Sequence, residues 1–242
     1  MNKIFTRPES LYEAPTHYCP GCGHGMAHRL VAEAVDELGI REKVIGVAPV
    51  GCAVIAYDYW NFDCSEAAHG RALAVATAIK RVRPENIVFT YQGDGDLAAI
   101  GTNETIHAAN RGENLTVIFI NNAVYGMTGG QMAPTTLLGQ KTSTTQAGRQ
   151  AWPQGYPLKI SELLSQLPAV KFIERVALSS PAQVNKAGAA IKQAFRNQID
   201  SVGFSLVEIL SPCPTYWGMS PKEALDWINE VMVKEFPLGR IK

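Results

Sequence analysis

The residues best equipped for chemistry lie in one segment, GDGDLAAIGTNETIHAANRGENLTVIFINN, running from Gly93 to Asn122. Gly93 and Gly95 flank Asp94, Asp96 follows, and Asn121 and Asn122 close the segment directly after an apolar run. A carboxylate oxygen and an amide oxygen brought to one edge suit a hard cation. Mg²⁺ takes oxygen ligands, one or two of them from side chains and the others from phosphate and water. Short glycine turns let backbone N–H groups approach phosphate oxygens. Asp94 and Asn122 therefore read as ligands of a metal-diphosphate. The competing explanation is a plain turn at 93–95 followed by two turn-forming asparagines, since such turns abound. The strand-helix-strand context of the segment favours the functional reading.

The cysteines form a second group: Cys19, Cys22, Cys52, Cys64 and Cys213. A cytoplasmic chain keeps its thiols reduced, so disulfides do not account for them. Cys19 and Cys22 lie in YCPGCGHG, whose glycines leave room for backbone N–H groups to face a metal or cluster. Cys52 in PVGCA and Cys213 in SPCPTYW each sit just past an expected strand. If one sheet edge gathers these thiolates, they can bind Zn²⁺ or a 4Fe-4S cluster. A structural zinc site usually uses two close pairs; one pair and two distant singletons fit a cluster inside a large domain better. Cys64 has no pair and reads as a small core residue or an incidental thiol.

Both groups need elements that bring them together. Apolar spacing predicts helices over 25–38, 72–82, 98–110, 181–195 and 221–236. Short apolar or β-branched runs predict strands over 44–50, 87–91, 115–120, 170–176 and 204–210. Strands alternating with helices specify an α/β fold with a doubly wound, mostly parallel sheet. Ligands of such a sheet sit at the carboxyl ends of its strands. Residues 126–157, rich in Gly, Thr, Gln and Pro, follow neither period and read as a lid or subunit-contact segment. No linker divides the chain, which is expected to be a single domain over 1–242.

Composition narrows the function classes. The 242 residues carry 22 basic and 22 acidic side chains, with 46% hydrophobic and 18% charged. That is enough for a sizeable core and poor material for disorder. Without a net charge or a Lys/Arg block there is no electrostatic footprint for nucleic acid or an anionic membrane. The amino-terminal MNKIFTRPESLYEAPTHYCP lacks an apolar signal core, and apolar stretches such as 72–79 are too short to span a bilayer. The expected location is the cytoplasm.

The segment from Gly93 to Asn122 resembles the signature of thiamine diphosphate enzymes. The resemblance implies a diphosphate-binding domain in which Asp94, Asn122 and the backbone carbonyl of Val124 hold Mg²⁺. Adding YCPGCGHG, Gly51-Cys52, HGRALAVATAIK at 69–80, YGMTGGQ at 125–131 and PCPTYWG at 212–218, nearly the whole chain resembles the β subunit of 2-oxoacid:ferredoxin (acceptor) oxidoreductases. That likeness implies one 4Fe-4S cluster on Cys19, Cys22, Cys52 and Cys213. It implies a thiamine diphosphate site built from His69, Gly93, Asp94, Gly95, Asp96, Asn122, Val124, Gly126, Met127 and Thr128, with Gln131 near the thiazolium side. The ferredoxin-type run Cys-x-x-Cys-x-x-Cys of some relatives is missing from this sequence, so further clusters belong to another chain or a soluble acceptor.

The implied activity converts a 2-oxoacid and CoA to acyl-CoA and CO₂, with electrons passed to ferredoxin or flavodoxin. No residue of this chain is assigned as a general base. In thiamine enzymes the glutamate that contacts the aminopyrimidine comes from a separate domain, so the expected partner is an α subunit carrying it. A small ferredoxin-like subunit is a further candidate, and the chain alone is expected to be inactive. Some relatives carry Lys in the Thr-x-Gly-Gln turn where this chain has Gly129, which tilts the substrate toward a branched or neutral 2-oxoacid. The alternatives are a cluster-free thiamine-dependent decarboxylase subunit and a zinc-stabilised structural subunit. Among lesser candidates, His69-Gly70-Arg71 opens a helix where its amides can face an anion. His17 and His24 flank the cysteine loop, either hydrogen-bonded behind a cofactor or simply exposed. Trp152, Trp217 and Trp227 are assigned to packing or interfaces.

Overall fold

The apolar spacing read over 25–38 forms the helix His24–Leu38, which stops where Gly39 takes a left-handed φ of 64°. In this computed structural model residues 6–242 are described; residues 1–5, the start of the stretch read as lacking a signal core, lie outside them. The strands in chain order are β1 (Val44–Pro49), β2 (Asp63–Ala67), β3 (Ile87–Gly93), β4 (Thr116–Asn121), β5 (Val124–Tyr125), β6 (Gln131–Met132), β7 (Val170–Ala177), β8 (Phe204–Leu210) and β9 (Gly239–Arg240).

Seven of them make one sheet in the order β2-β1-β3-β4-β8-β7-β9, and β5 pairs with β6 in a separate hairpin. Every neighbour in the main sheet is parallel except the short β7–β9 edge. Parallel strands covered on both faces must be apolar on both faces, and β4 shows the alternation. Ile118 and Ile120 pack with Phe89 and Tyr91 beneath the helices His24–Leu38 and Pro181–Ile199. Val117 and Phe119 pack on the opposite face, beneath Ala72–Val82 and Thr102–Asn110. Burying a side chain of that size stabilises by about 1.5–3 kcal/mol, so the two layers fix which way each strand end points. From β1 the chain moves outward to β2, whereas from β3 it moves the other way to β4. A crevice must open between their carboxyl ends.

The departures from expectation have physical causes. Strand β2, DCSEA, pairs on one side only and is partly exposed, so it needed no apolar run and left none to read. The helix expected over 98–110 starts with a wide π turn at Asp96–Ile100, and the closing helix over 221–236 breaks at a second one, Ile228–Met232. One extra residue per turn leaves almost no trace in apolar spacing. The helix Ile160–Ser165 and the β5–β6 hairpin were not expected. Among the described residues no helix is long and apolar enough to cross a membrane.

Candidate active site

The carboxyl ends of β1, β3 and β4 carry the turns that build the site. Residues 49–53 end and follow β1, Gly93–Asp96 end and follow β3, and Asn122 and residues 124–128 follow β4; together with His24, His69 and Tyr91 they line a cavity of about 100 Å³. Gly93, Asp94, Gly95, Asp96, Asn122, Val124, Gly126, Met127, Thr128 and His69, the residues named from the sequence, all line it.

Asp94 is buried. Its Oδ1 accepts the Gly95 N–H at 2.8 Å, and its Oδ2 accepts the Thr135 hydroxyl at 2.6 Å. Burial pushes the carboxyl up to about 7, against the pull of the Thr135 and backbone hydrogen bonds, which favour the ionised form. The Asn122 amide oxygen accepts the Val124 N–H at 3.3 Å and keeps a second lone pair free for a ligand. A carboxylate and an amide oxygen at one cavity are donors of the hard kind that a Mg²⁺ ion takes. Gly95 has to be glycine, since a Cβ there would strike the Tyr125 ring.

Asp96 behaves differently from Asp94. It accepts the Gly70 N–H at 2.5 Å and the Gln92 amide at 2.5 Å, and it stands 3.0 Å from His69 Nδ1. Its carboxylate is occupied within the protein and pins the His69-Gly70 turn to the end of β3.

A second cavity, of about 150 Å³, adjoins the first and is lined by Cys19, Cys22, Cys52 and Cys213. His24, Cys52, Asn122, Gly126 and Met127 belong to both walls. A Cβ placed on Gly126 would lie 3.1 Å from the Cys52 sulfur and 3.9 Å from that of Cys213. Burial pushes Cys52 and Cys213 up to about 12 and raises Cys22, with neighbouring thiols adding to each shift. At such values Cys52 and Cys213 are neutral thiols near pH 7; they would act as thiolates only with a positive centre among them. Among the described residues no three His, Cys, Asp or Glu side chains close on a point that would hold a single metal ion. Cys64 lies apart on the edge strand β2, beside Gly46 of β1 and packed against the core.

The thiamine pyrophosphate enzyme C-terminal TPP binding domain matches residues 50–209, which hold nearly all of the first cavity. The chain is 38% identical, over 93% of its length and 79% of the relative's, to 2-oxoglutarate synthase subunit KorB of Archaeoglobus fulgidus. The chain belongs to the 2-oxoacid oxidoreductase subunits of the thiamine pyrophosphate enzyme family. This oxidoreductase subunit is 53% identical, over 99% of its length, to ketoisovalerate oxidoreductase subunit VorA of Methanothermobacter thermautotrophicus, and spans about half of that relative, 52%. A solved structure, 2-oxoglutarate:ferredoxin oxidoreductase from Magnetococcus marinus with 2-oxoglutarate, coenzyme A and succinyl-CoA bound, matches 88% of the chain and 70% of its own at 29% identity, with a TM-score of 0.76.

Several residues around the two cavities were not named from the sequence. Thr135 reaches Asp94 from the 126–157 segment, which is tied to itself by Arg149: its guanidinium donates to the carbonyls of Pro134, Thr136, Gly155 and Tyr156. Behind the two cavities runs a layer of imidazoles and phenols. His24 Nδ1 meets the Tyr91 hydroxyl at 2.9 Å, and Tyr18 meets His28 Nε2 at 2.9 Å. Burial holds His24 down to about 4, so it is neutral near pH 7. Of the two histidines flanking the cysteine loop, His24 is therefore interior, whereas His17 is exposed and bonded to Tyr59. Trp217 packs on Trp227 with ring centroids 4.4 Å apart, and Trp152 is 87% exposed. The sequence signal available for Tyr91 was its place at the site end of a central strand; Thr135 offered none.

Proposed function

We propose that this subunit holds thiamine diphosphate through Mg²⁺ in the first cavity and one 4Fe-4S cluster in the second. With an α subunit it would convert a 2-oxoacid and CoA to acyl-CoA and CO₂, the two electrons leaving singly for ferredoxin or flavodoxin. The observation that carries this reading is the shared wall: a diphosphate-type oxygen set and a four-thiol cavity have His24, Cys52, Asn122, Gly126 and Met127 in common.

In this reading Asp94, Asn122 and the Val124 carbonyl hold the cation, and the Gly93–Gly95 backbone faces the diphosphate. Cys19, Cys22, Cys52 and Cys213 hold the cluster. When bound, thiamine diphosphate supplies the carbanion chemistry and the cluster takes up electrons one at a time. The chain's own work is to bind, orient and exclude water. Neutral His24 and Tyr91 back the first cavity with an uncharged wall, Asp96 fixes His69 at the rim, and Thr135 closes the lid segment over Asp94. Exposed Met127 and Thr128 face the substrate side.

The substrate we assign is a branched or neutral 2-oxoacid. The rim from Gly126 to Gln131 carries no charge to pair with a second carboxylate, and the identity to a relative named for ketoisovalerate, 53%, exceeds that to one named for 2-oxoglutarate, 38%. The exposed Trp152 and Tyr156 support the 126–157 segment as the contact with the α subunit, which would bring the pyrimidine-binding domain. A small ferredoxin-like subunit would complete the assembly, in the cytoplasm, with 1–242 acting as one domain.

The test is the anaerobically purified complex of the chain with its partner. Broad absorbance near 400 nm, about four irons per chain, and CoA-dependent dye reduction fastest with branched 2-oxoacids are expected. Colourless protein that binds thiamine diphosphate and releases CO₂ without CoA would establish the cluster-free decarboxylase instead.

A further inference from the structure

The cofactor reading gives Asn122 a task and its neighbour Asn121 none. It also leaves unexplained a buried arginine and glutamate on the adjoining strands. Asn121 ends β4 fully buried; its amide nitrogen donates to Glu208 Oε1 at 2.8 Å and its amide oxygen accepts the Ala123 N–H at 3.3 Å. Glu208 lies on β8 beside Arg175 on β7, with Arg175 Nε 2.8 Å from Glu208 Oε2 and both side chains 1% exposed. The Ser161 hydroxyl also donates to Oε2. On its outer side Arg175 grips Glu162 with two hydrogen bonds of 2.7 and 2.8 Å.

A buried ion pair stabilises a fold little, because desolvation consumes most of the attraction. Its position suggests another use. Ala123 sits at φ 59°, a left-handed conformation that is costly for a residue with a Cβ. Thr136 donates to its carbonyl at 2.6 Å, and Trp217 donates to the Asn122 carbonyl at 3.0 Å. That turn is what presents Asn122 and Val124 to the first cavity. An asparagine amide can face either way, but a carboxylate only accepts, so Glu208 selects the nitrogen end of Asn121 and leaves the oxygen aimed at the Ala123 N–H. Arg175 supplies the positive charge against which a carboxylate can stand in so dry a place.

We infer that Asn121, Glu208 and Arg175 are positioning residues, a polar brace that holds the Ala123 turn and so sets how tightly the site takes Mg²⁺ and a diphosphate. This rests on the proposed assignment of Asn122 and Val124.

The experiment titrates thiamine diphosphate calorimetrically into the complex of the chain with its partner, at fixed MgCl₂, and records melting temperature for each variant. Glu208→Gln keeps the shape but can donate as well as accept, so the amide of Asn121 is no longer oriented. Glu208→Gln and Asn121→Ala are expected to weaken binding about ten-fold or more. Glu162→Gln touches Arg175 from its solvent side; it should lower the melting temperature while keeping affinity within about two-fold. If Asn121→Ala does not fold, Glu208→Gln decides alone. Folded variants of Asn121 and Glu208 that bind within about two-fold of the parent overturn the brace, as does a loss of affinity that merely tracks melting temperature in all three. Asp94→Ala separates the two levels: wild-type affinity there sinks the metal-site reading itself, whereas lost affinity there with unchanged Asn121 and Glu208 variants sinks only the brace.

Discussion

Replacing Thr135 by Val keeps the shape of a fully buried side chain and removes one hydroxyl, the one that donates to Asp94 Oδ2 at 2.6 Å. The bond stabilises the ionised carboxyl over the neutral acid, and burial already pushes that carboxyl up to about 7. A hydrogen bond to a charged group contributes about 1.5–3 kcal/mol, which is roughly a ten- to hundred-fold change in an equilibrium. Because Mg²⁺ takes the carboxylate and not the acid, that energy is subtracted from cation binding. The apparent Mg²⁺ requirement for thiamine diphosphate binding should rise by about ten-fold or more near pH 7. The sign with pH follows: the carboxyl's affinity for protons is raised, so cation binding weakens as pH falls through about 7, and further substitution losses are smallest at pH 8 to 9. Thr135→Ser, which retains the donor, should stay close to the parent. The assay is a Mg²⁺ titration followed by calorimetry at several pH values. Equal Mg²⁺ requirements for Thr135→Val and the parent at pH 6 to 7 would show that the lid residue does not support the metal ligand.

Asp94→Ala, or EDTA treatment of the parent, should release thiamine diphosphate while leaving visible absorbance largely intact, because the oxygen ligands and the thiols are different residues; equilibrium dialysis and a spectrum read both. Cys213→Ala should cut the iron content and the reduction of ferredoxin, whereas Cys64→Ala, on the edge strand β2 and packed against the core, should do neither; metal analysis of both variants checks this. His24 is held down to about 4 against an ordinary value of 6.5. Its folded form resists protonation that the unfolded chain accepts, so stability is present above pH 6.5 and is lost as pH falls toward 4, by about 3 kcal/mol for this group. Melting temperatures of His24→Phe should fall less steeply between pH 7 and 5 than those of the parent, and parallel curves would count against the assignment.

Much of the first cavity was legible in the chain because the residues that line it are set by local arithmetic. A parallel strand covered on both faces must be an apolar run, as Ile87–Gly93 and Thr116–Asn121 are, and the residues just past such a run must stand at the sheet's carboxyl edge. The pattern alone places Asp94 and Asn122 in this way, and the same argument puts Cys52 and Cys213 past their strands. The polar edge strand Asp63–Ala67 and the π turn at Asp96–Ile100 were illegible, since one carries no apolar run and the other adds a residue without altering the pattern.

What the sequence determined by itself is therefore the type and approximate extent of the elements that carry a clear apolar period, because those depend on neighbours within a turn or two. Partners across the fold were decided only by tertiary structure. Thr135 reaches Asp94 across 41 residues, Tyr91 reaches His24 across 67, and Glu208 reaches Asn121 across 87. Each is a hydrogen bond between side chains whose types are common everywhere in the chain. Nothing in their spacing marks them, and they meet because the order β1-β3-β4-β8 of the sheet and the return of the 126–157 segment over its edge bring them to one place.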